Sequence, residues 1–316
     1  MEDSFSIPSP LAKGFGEKGF SFRHLELAGI DNSGVIAVND PTIAEQEICL
    51  FSEGVSSGQE YLDRFHRHIE EASRNRRPFP CARFADGEYA FYAESLECNG
   101  LYRQAESVSA IREVLPMHVA ALKQLSAMGR IAALIFPGNL GGRRSAFKRI
   151  LHPWKKEPSA ASFLEFLNRN GIEFSAGNYL PFYVVYACLS SADFRRSLDG
   201  KHVCIVNSDY DEGNCRRWFE RAGSRPRLTF VSIAAEYVAT RWSSMKEGVL
   251  GKIPADADLC LVGAGVGALP VCVDAAVRFS IPAIDAGHVL NMMNGREDKS
   301  NGMRLYTIWK EPASGG

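Results

Sequence analysis

Residues 259–285 decide the fold. They read Leu259-Cys260-Leu261-Val262-Gly263-Ala264-Gly265-Val266-Gly267-Ala268, then a helical stretch at Leu269–Phe279, then Pro282-Ala283-Ile284-Asp285. A short apolar run that ends in glycines, a helix and a second short apolar run make a β-α-β unit. The same rhythm continues upstream. Strands are expected at Lys201–Val206, Arg227–Ser232 and Asp258–Val262, with helices at Gly213–Ala222 and Arg241–Gly251 between them. Strands alternating with helices of this length predict an α/β fold: a Rossmann-like parallel sheet with helices on both faces. Such sheets bind ligands beyond the carboxyl ends of their strands. The segments after Phe84, Phe136, Val206, Val262 and Ile284 are therefore where chemistry is expected.

Further upstream, Tyr61, Leu62, Phe65 and Ile69 recur at helical spacing within Gln59–Arg74. Pro78 and Pro80 then break the chain. A strand at Cys81–Phe84 leads to a helix at Glu88–Leu96. Val108–Met128 is expected to be helical and Ile131–Phe136 a strand ending in the turn-rich loop 137–145. Helices follow at Ser162–Arg169 and Leu180–Leu198, with a short strand at Ile172–Phe174 between them. Residues 1–57 are mixed in pattern, with one apolar piece at Gly34–Val38. They read as an N-terminal extension, and 58–316 as a single α/β domain. No internal repeat or low-complexity segment stands out.

Composition narrows the class. Of 316 residues 46% are apolar, and 36 basic side chains face 37 acidic ones for a net charge of −1. That balance excludes disorder and fibrous architectures and argues against a broad nucleic-acid footprint. No apolar stretch approaches the ~18 residues of a membrane span, and the first residues lack the pattern of a secretory signal. The eight cysteines are scattered without a C-x-x-C pair. Cys81, Cys204, Cys260 and Cys272 lie in apolar segments as small hydrophobes, and a reducing cytoplasm is the expected setting. Trp218, Phe219 and Trp242 read as core. Serine-hydrolase elbows, H-E-x-x-H and the Walker pattern are absent.

Four polar clusters fall at expected strand ends. Arg83-Phe84-Ala85-Asp86-Gly87-Glu88 carries two carboxylates around a glycine that permits a sharp turn. Such a pair suits Mg²⁺ or Mn²⁺ completed by a diphosphate, with Arg83 forking onto phosphate. It reads equally as a helix start, with Asp86 as the cap and Glu88 in the first turn. Gly263, Gly265 and Ala268 fit a dinucleotide fingerprint, and Asp285 follows at the spacing of its acidic residue. Glycines that merely let a helix pack closely are the alternative. Ile284-Asp285-Ala286-Gly287-His288, followed by Asn291 and Asn294, sets an acid and a histidine past a strand, to orient phosphate or simply to close a loop. Asn207-Ser208-Asp209-Tyr210-Asp211-Glu212 offers groups for a ribose or base, a catalytic carboxylate, or an extended cap. Arg143, Arg144 and Lys148 read as a solvated face or a phosphate contact, and Asn178-Tyr179 as a helix cap.

Together, Arg83–Glu88 and the distant Gly263-Ala264-Gly265 and Asp285-Ala286-Gly287-His288 resemble the GT-D-fold glycosyltransferases, bacterial enzymes first catalogued as a domain of unknown function. The likeness covers about residues 60–295. Ala85 stands where that family often has glycine, and Val289-Leu290-Asn291 replaces its usual acidic and aromatic residues. The resemblance implies a single α/β domain, a nucleotide-sugar donor and a hydroxyl-bearing acceptor. It implies a divalent metal, Mn²⁺ or Mg²⁺, bridging the diphosphate to Asp86 and Glu88, with support from Arg83. Gly263 and Gly265 would lie near the donor, and Asp285 and His288 near its diphosphate. Strand-end geometry adds Asn207, Ser208 and Asp209 as contacts, with Asp209, Asp211 and Glu212 as candidate bases. The expected activity is metal-dependent transfer from a nucleotide-diphosphate sugar, with UDP as its carrier, to a glycan, glycoprotein or small molecule. An NAD-dependent oxidoreductase using Gly263–Ala268 and Asp285, and a nucleotide-binding module without turnover, are the competing readings.

Overall fold

The computed structural model describes residues 58–100, 102–135, 158–175 and 177–295, together with two short strands, Phe20–Ser21 and Ile48–Cys49, which pair antiparallel. The apolar piece Gly34–Val38, the loop 137–145 and the basic residues Arg143, Arg144 and Lys148 lie outside the described residues.

Seven parallel strands form the sheet: β1 (Phe79–Phe84), β2 (Arg130–Ala133), β3 (Tyr179–Pro181), β4 (His202–Asn207), β5 (Arg227–Ser232), β6 (Leu259–Gly263) and β7 (Pro282–Asp285). Their spatial order is β3-β2-β1-β7-β6-β4-β5. Ten helices accompany them among the described residues: α1 (Gly58–Arg74), α2 (Asp86–Tyr92), α3 (Val108–Met128), α4 (Ala160–Arg169), α5 (Phe182–Ser190), α6 (Ala192–Ser197), α7 (Glu212–Glu220), α8 (Val238–Leu250), α9 (Ala268–Phe279) and α10 (His288–Met293).

Side chains alternate across the sheet, so each strand feeds two cores. Cys81, Val203, Ile205, Leu259 and Leu261 pack with α1, α5, α7 and α10 on one face. On the other, Ala82 and Phe84 pack with α2, α3 and α4, and Cys204, Val206, Cys260 and Val262 with α8 and α9. Burial on both faces explains why these strands read as continuous apolar runs. The four cysteines read as core are fully buried, as are Trp218, Phe219 and Trp242.

Several local expectations change. The helix expected at Glu88–Leu96 starts at Asp86 and stops at Tyr92, because Glu94 takes a left-handed φ of 57° before a 3₁₀ turn at Leu96–Cys98. Ile172–Phe174 is not a strand. The Glu173 carbonyl accepts from Ser126 Oγ (2.7 Å) and Asn178 Nδ2 (3.0 Å), so side chains replace a ladder. Asn178 is therefore a buried bracket, not a helix cap, and Tyr179 opens β3 by pairing with Ile131.

The topology reverses direction at one point of the sheet. After β4 the chain runs through α7 outward to β5; after β6 it runs through α9 the other way, to β7. Connections that leave in opposite directions open a crevice at the carboxyl ends of the two strands. Asn207 and Gly263 face each other there in register.

Candidate functional site

The site is built from the ends of β1, β7, β6 and β4. Arg83, the penultimate residue of β1, turns its side chain toward neighbouring β7. Its Nη2 donates to Asp285 Oδ1 (2.9 Å), its Nε to the Asp285 carbonyl (3.0 Å), and its backbone N–H to Asp285 Oδ2 (3.3 Å). Nη1 meets the Tyr186 hydroxyl, and the guanidinium lies over the rings of Tyr186 (4.5 Å) and Phe182 (5.2 Å) from α5. The side chains are 11% and 3% exposed for Arg83 and Asp285, so this is a buried, multiply hydrogen-bonded ion pair. Gly287 makes room for it. A Cβ there would stand 1.8 Å from Arg83 Nη2, and the backbone is at φ +44°, a region that favours glycine.

The first motif and the Asp285–Gly287 segment, far apart in sequence, are thus one unit. Asp285, read as a contact to diphosphate or ribose, has its carboxylate committed to Arg83. Arg83 in turn orients the strand end from which Asp86 and Glu88 emerge.

Asp86 is the first residue of α2 and exposed, but it is not the cap: Ala85 holds that position. Glu88 reaches back so that its Oε2 accepts from the Ala85 N–H (2.9 Å). Burial lifts the Glu88 carboxyl to about 7, against the lowering pull of that N–H and of Arg83; Asp285 and Asp86 add to the rise. Gly87 is helical with open space around its Cβ position, so its expected turn-forming role is not used. Among the described residues no group of three or more His, Cys, Asp or Glu side chains is gathered as a complete metal site. Asp86 and Glu88 are the carboxylates here that could hold a hard cation, whose remaining ligands would come from water and a substrate's phosphate oxygens.

The glycine run is occupied by protein. Val266 N–H donates to Gln104 Oε1 (2.9 Å), and a Cβ on Gly265 (φ +53°) would lie 2.5 Å from that oxygen. A Cβ on Gly267 would meet Val238 Cγ1 at 2.6 Å. Gly265 therefore serves close packing, and Val266, whose amide a phosphate would need, is already bonded. Gly263 brings Asn207 and Leu290 close, its Cβ position lying 2.7 Å and 2.6 Å from their side chains. With Asp285 gripping Arg83, both features behind the dinucleotide reading are used internally.

At β4, Asn207 Nδ2 donates to the Asp209 carbonyl (2.6 Å). The buried Asn294 donates to the same carbonyl (3.0 Å) and accepts from Asp211 N–H (2.9 Å), pinning the loop. Asp211 caps α7 through Asn214 N–H (2.8 Å), and Glu212 lies 3.7 Å from Arg216. Ser208 and Asp209 are exposed. His288 opens α10, its Nδ1 accepting from Asn291 Nδ2 (3.3 Å). Gln104, Tyr186 and Asn294 hold these segments. Tyr186 lies in the nearly all-apolar stretch Phe182–Leu189, where nothing in the local pattern marks it as a partner for an arginine.

Residues 62–293 match the family described as the GT-D fold-like domain. The chain belongs to the GT-D-like family. Two solved structures are similar, each at 15% identity and a TM-score of 0.46, covering 79% of this chain and 95% of theirs. One is described as a selenomethionine-substituted structure of domain of unknown function 1792. The other is described as that highly conserved domain, with a distinct glycosyltransferase fold. No curated protein matches the chain. Among the described residues, no helix of this GT-D-like protein is long and apolar enough to cross a membrane.

Proposed function

We propose that this GT-D-like protein is a glycosyltransferase that binds a nucleoside-diphosphate sugar, with UDP as carrier, across the carboxyl ends of β1, β4, β6 and β7. The observation that carries the reading is the Asp86-x-Glu88 pair at the head of α2, joined through Arg83 to the end of β7, in a chain of this family. In this reading Asp86 and Glu88 hold Mn²⁺ or Mg²⁺. The cation supplies positive charge to offset what builds on the departing diphosphate.

The chain's own residues do the rest. Arg83, fixed by Asp285 and Tyr186, holds β1 and β7 in the register that presents both carboxylates. The donor lies in the crevice beyond Gly263, where Asn207 and Ser208 meet its nucleoside and His288 its phosphates. Asp209 is assigned as proton acceptor for the incoming hydroxyl, because Asp211 is engaged as a helix cap. The acceptor is a glycan, a glycoprotein or a small hydroxyl compound.

The test is release of nucleoside diphosphate from a panel of UDP-, GDP- and dTDP-sugars in Mn²⁺. Turnover of one donor that falls at least 100-fold in Asp86→Ala and in Glu88→Gln supports the reading. Turnover unchanged by both substitutions overturns it.

A further inference from the structure

The loop that leaves β4 carries one aromatic side chain, Tyr210, and elements of the site hold it in place. On one side of it, the Asp209 carbonyl accepts from Asn207 Nδ2 (2.6 Å) and Asn294 Nδ2 (3.0 Å). On the other, the Asp211 N–H donates to Asn294 Oδ1 (2.9 Å). One buried amide thus clamps the backbone before and after the ring. Asn294 follows α10, the helix that His288 opens, so one short helix reaches from the end of β7 to this loop. The Tyr210 ring lies nearly parallel on Phe230 of β5, with centroids 4.7 Å apart and planes 24° apart. Phe230 pairs in register with Ile205 of β4 and borders the core on that face, and β5 is the last strand on that side of the sheet. Both rings are half-buried, and the Tyr210 hydroxyl has no hydrogen-bond partner among the described residues. What the fold fixes here is the face of the ring.

We propose that the Tyr210 ring is the platform on which the donor's nucleobase stacks; this rests on the glycosyltransferase reading above. The direction follows from the sheet. Asp86 follows β1 and His288 follows β7, while Asn207 faces Gly263 across the crevice between β4 and β6. A donor with its diphosphate at the first two and its ribose at the crevice carries its base past β4 toward β5, where Tyr210 stands. Stacking on an aromatic ring serves any base, because every base has a π-face. A ring clamped before the ligand arrives has little freedom left to lose on binding. Exposed Ser208 and Asp209, just before the ring, supply hydrogen-bonding groups for the edge of the base. A tyrosine that merely covered Phe230 would be replaceable by any apolar side chain, and that difference can be measured.

The test is calorimetry in Mn²⁺ with UDP, GDP, dTDP and inorganic pyrophosphate on the full chain and on its Tyr210→Leu and Tyr210→Phe variants. Leucine still covers Phe230 but has no π-face. Phenylalanine keeps the face and drops only the unbonded hydroxyl. The nucleoside diphosphate that binds the parent is expected to lose about tenfold in affinity in Tyr210→Leu and to keep it in Tyr210→Phe. Pyrophosphate is expected to bind all three proteins alike. Equal nucleoside diphosphate affinity in all three, or a loss of pyrophosphate binding in step with it, overturns the inference and leaves the donor reading standing. A parent that binds pyrophosphate but no nucleoside diphosphate overturns the base platform. A parent that binds none of the four overturns the donor reading, and the inference falls with it.

Discussion

At the scale of single residues, the centre of the site is an ion pair whose geometry leaves little freedom. Removing one partner of a buried pair strands the other charge, at a cost of about 3–5 kcal/mol. Asp285→Ala is therefore expected to lower unfolding free energy by about that amount in urea titration. Gly287→Ala is expected to act in the same direction, because its methyl meets Arg83 Nη2 and its backbone favours glycine. Gly87→Ala provides the contrast one residue from the carboxylates. Its Cβ position is open and its backbone helical, so stability should stay level or rise by up to ~1 kcal/mol. Destabilisation by Gly87→Ala would show that the glycine has a steric role after all. Gln104→Ala leaves the Val266 N–H without its bonded oxygen, a loss of about 1–3 kcal/mol by the same titration.

At the scale of elements, helices α2, α3 and α8 meet at His118. The ring is fully buried, with Nε2 3.0 Å from the Ala239 carbonyl and Nδ1 3.1 Å from the Tyr92 hydroxyl. A carbonyl only accepts, so Nε2 carries the proton and Nδ1 accepts from the tyrosine. Burial pushes the His118 pKa down to about 4, and an unfolded histidine titrates near 6.5. Between those values the unfolded chain binds more protons than the folded one. Stability from this group is therefore complete above about pH 6.5 and is lost as pH falls toward 4, by about 3 kcal/mol in total. Chemical denaturation at pH 7.5 and pH 4.5 should show this drop in the parent and a smaller one in His118→Phe. An equal drop in both would assign the acid sensitivity to other groups.

At the scale of the whole molecule, the strands buried on both faces were legible because their continuous apolar runs are bounded by helices of ordinary length. β5 and β7 have the limits the pattern predicts. Three-residue β3 and six-residue α10 were not legible, being too short for either period to register. The clusters at strand ends were legible as clusters. Which residues touch was not, since Arg83 meets Asp285 only because β1 and β7 are neighbours, and strand order leaves no local trace. The same gap let the glycine run read as a phosphate cradle, because Gln104, its partner, lies far upstream.

In the glycosyltransferase reading, Asp86 and Glu88 receive a metal-bound nucleoside diphosphate. That reading is tested most directly by thermal shift with UDP, GDP, dTDP and NAD, each in Mn²⁺ and in EDTA, on the parent and Asp86→Ala. A ligand at ~100 times its Kd adds about 2.7 kcal/mol to the folded state, well within reach of the assay. Stabilisation by one nucleoside diphosphate, present in Mn²⁺ and lost in EDTA and in Asp86→Ala, is the predicted result. Stabilisation by NAD, indifferent to EDTA and to Asp86, would sink the metal-bound diphosphate site.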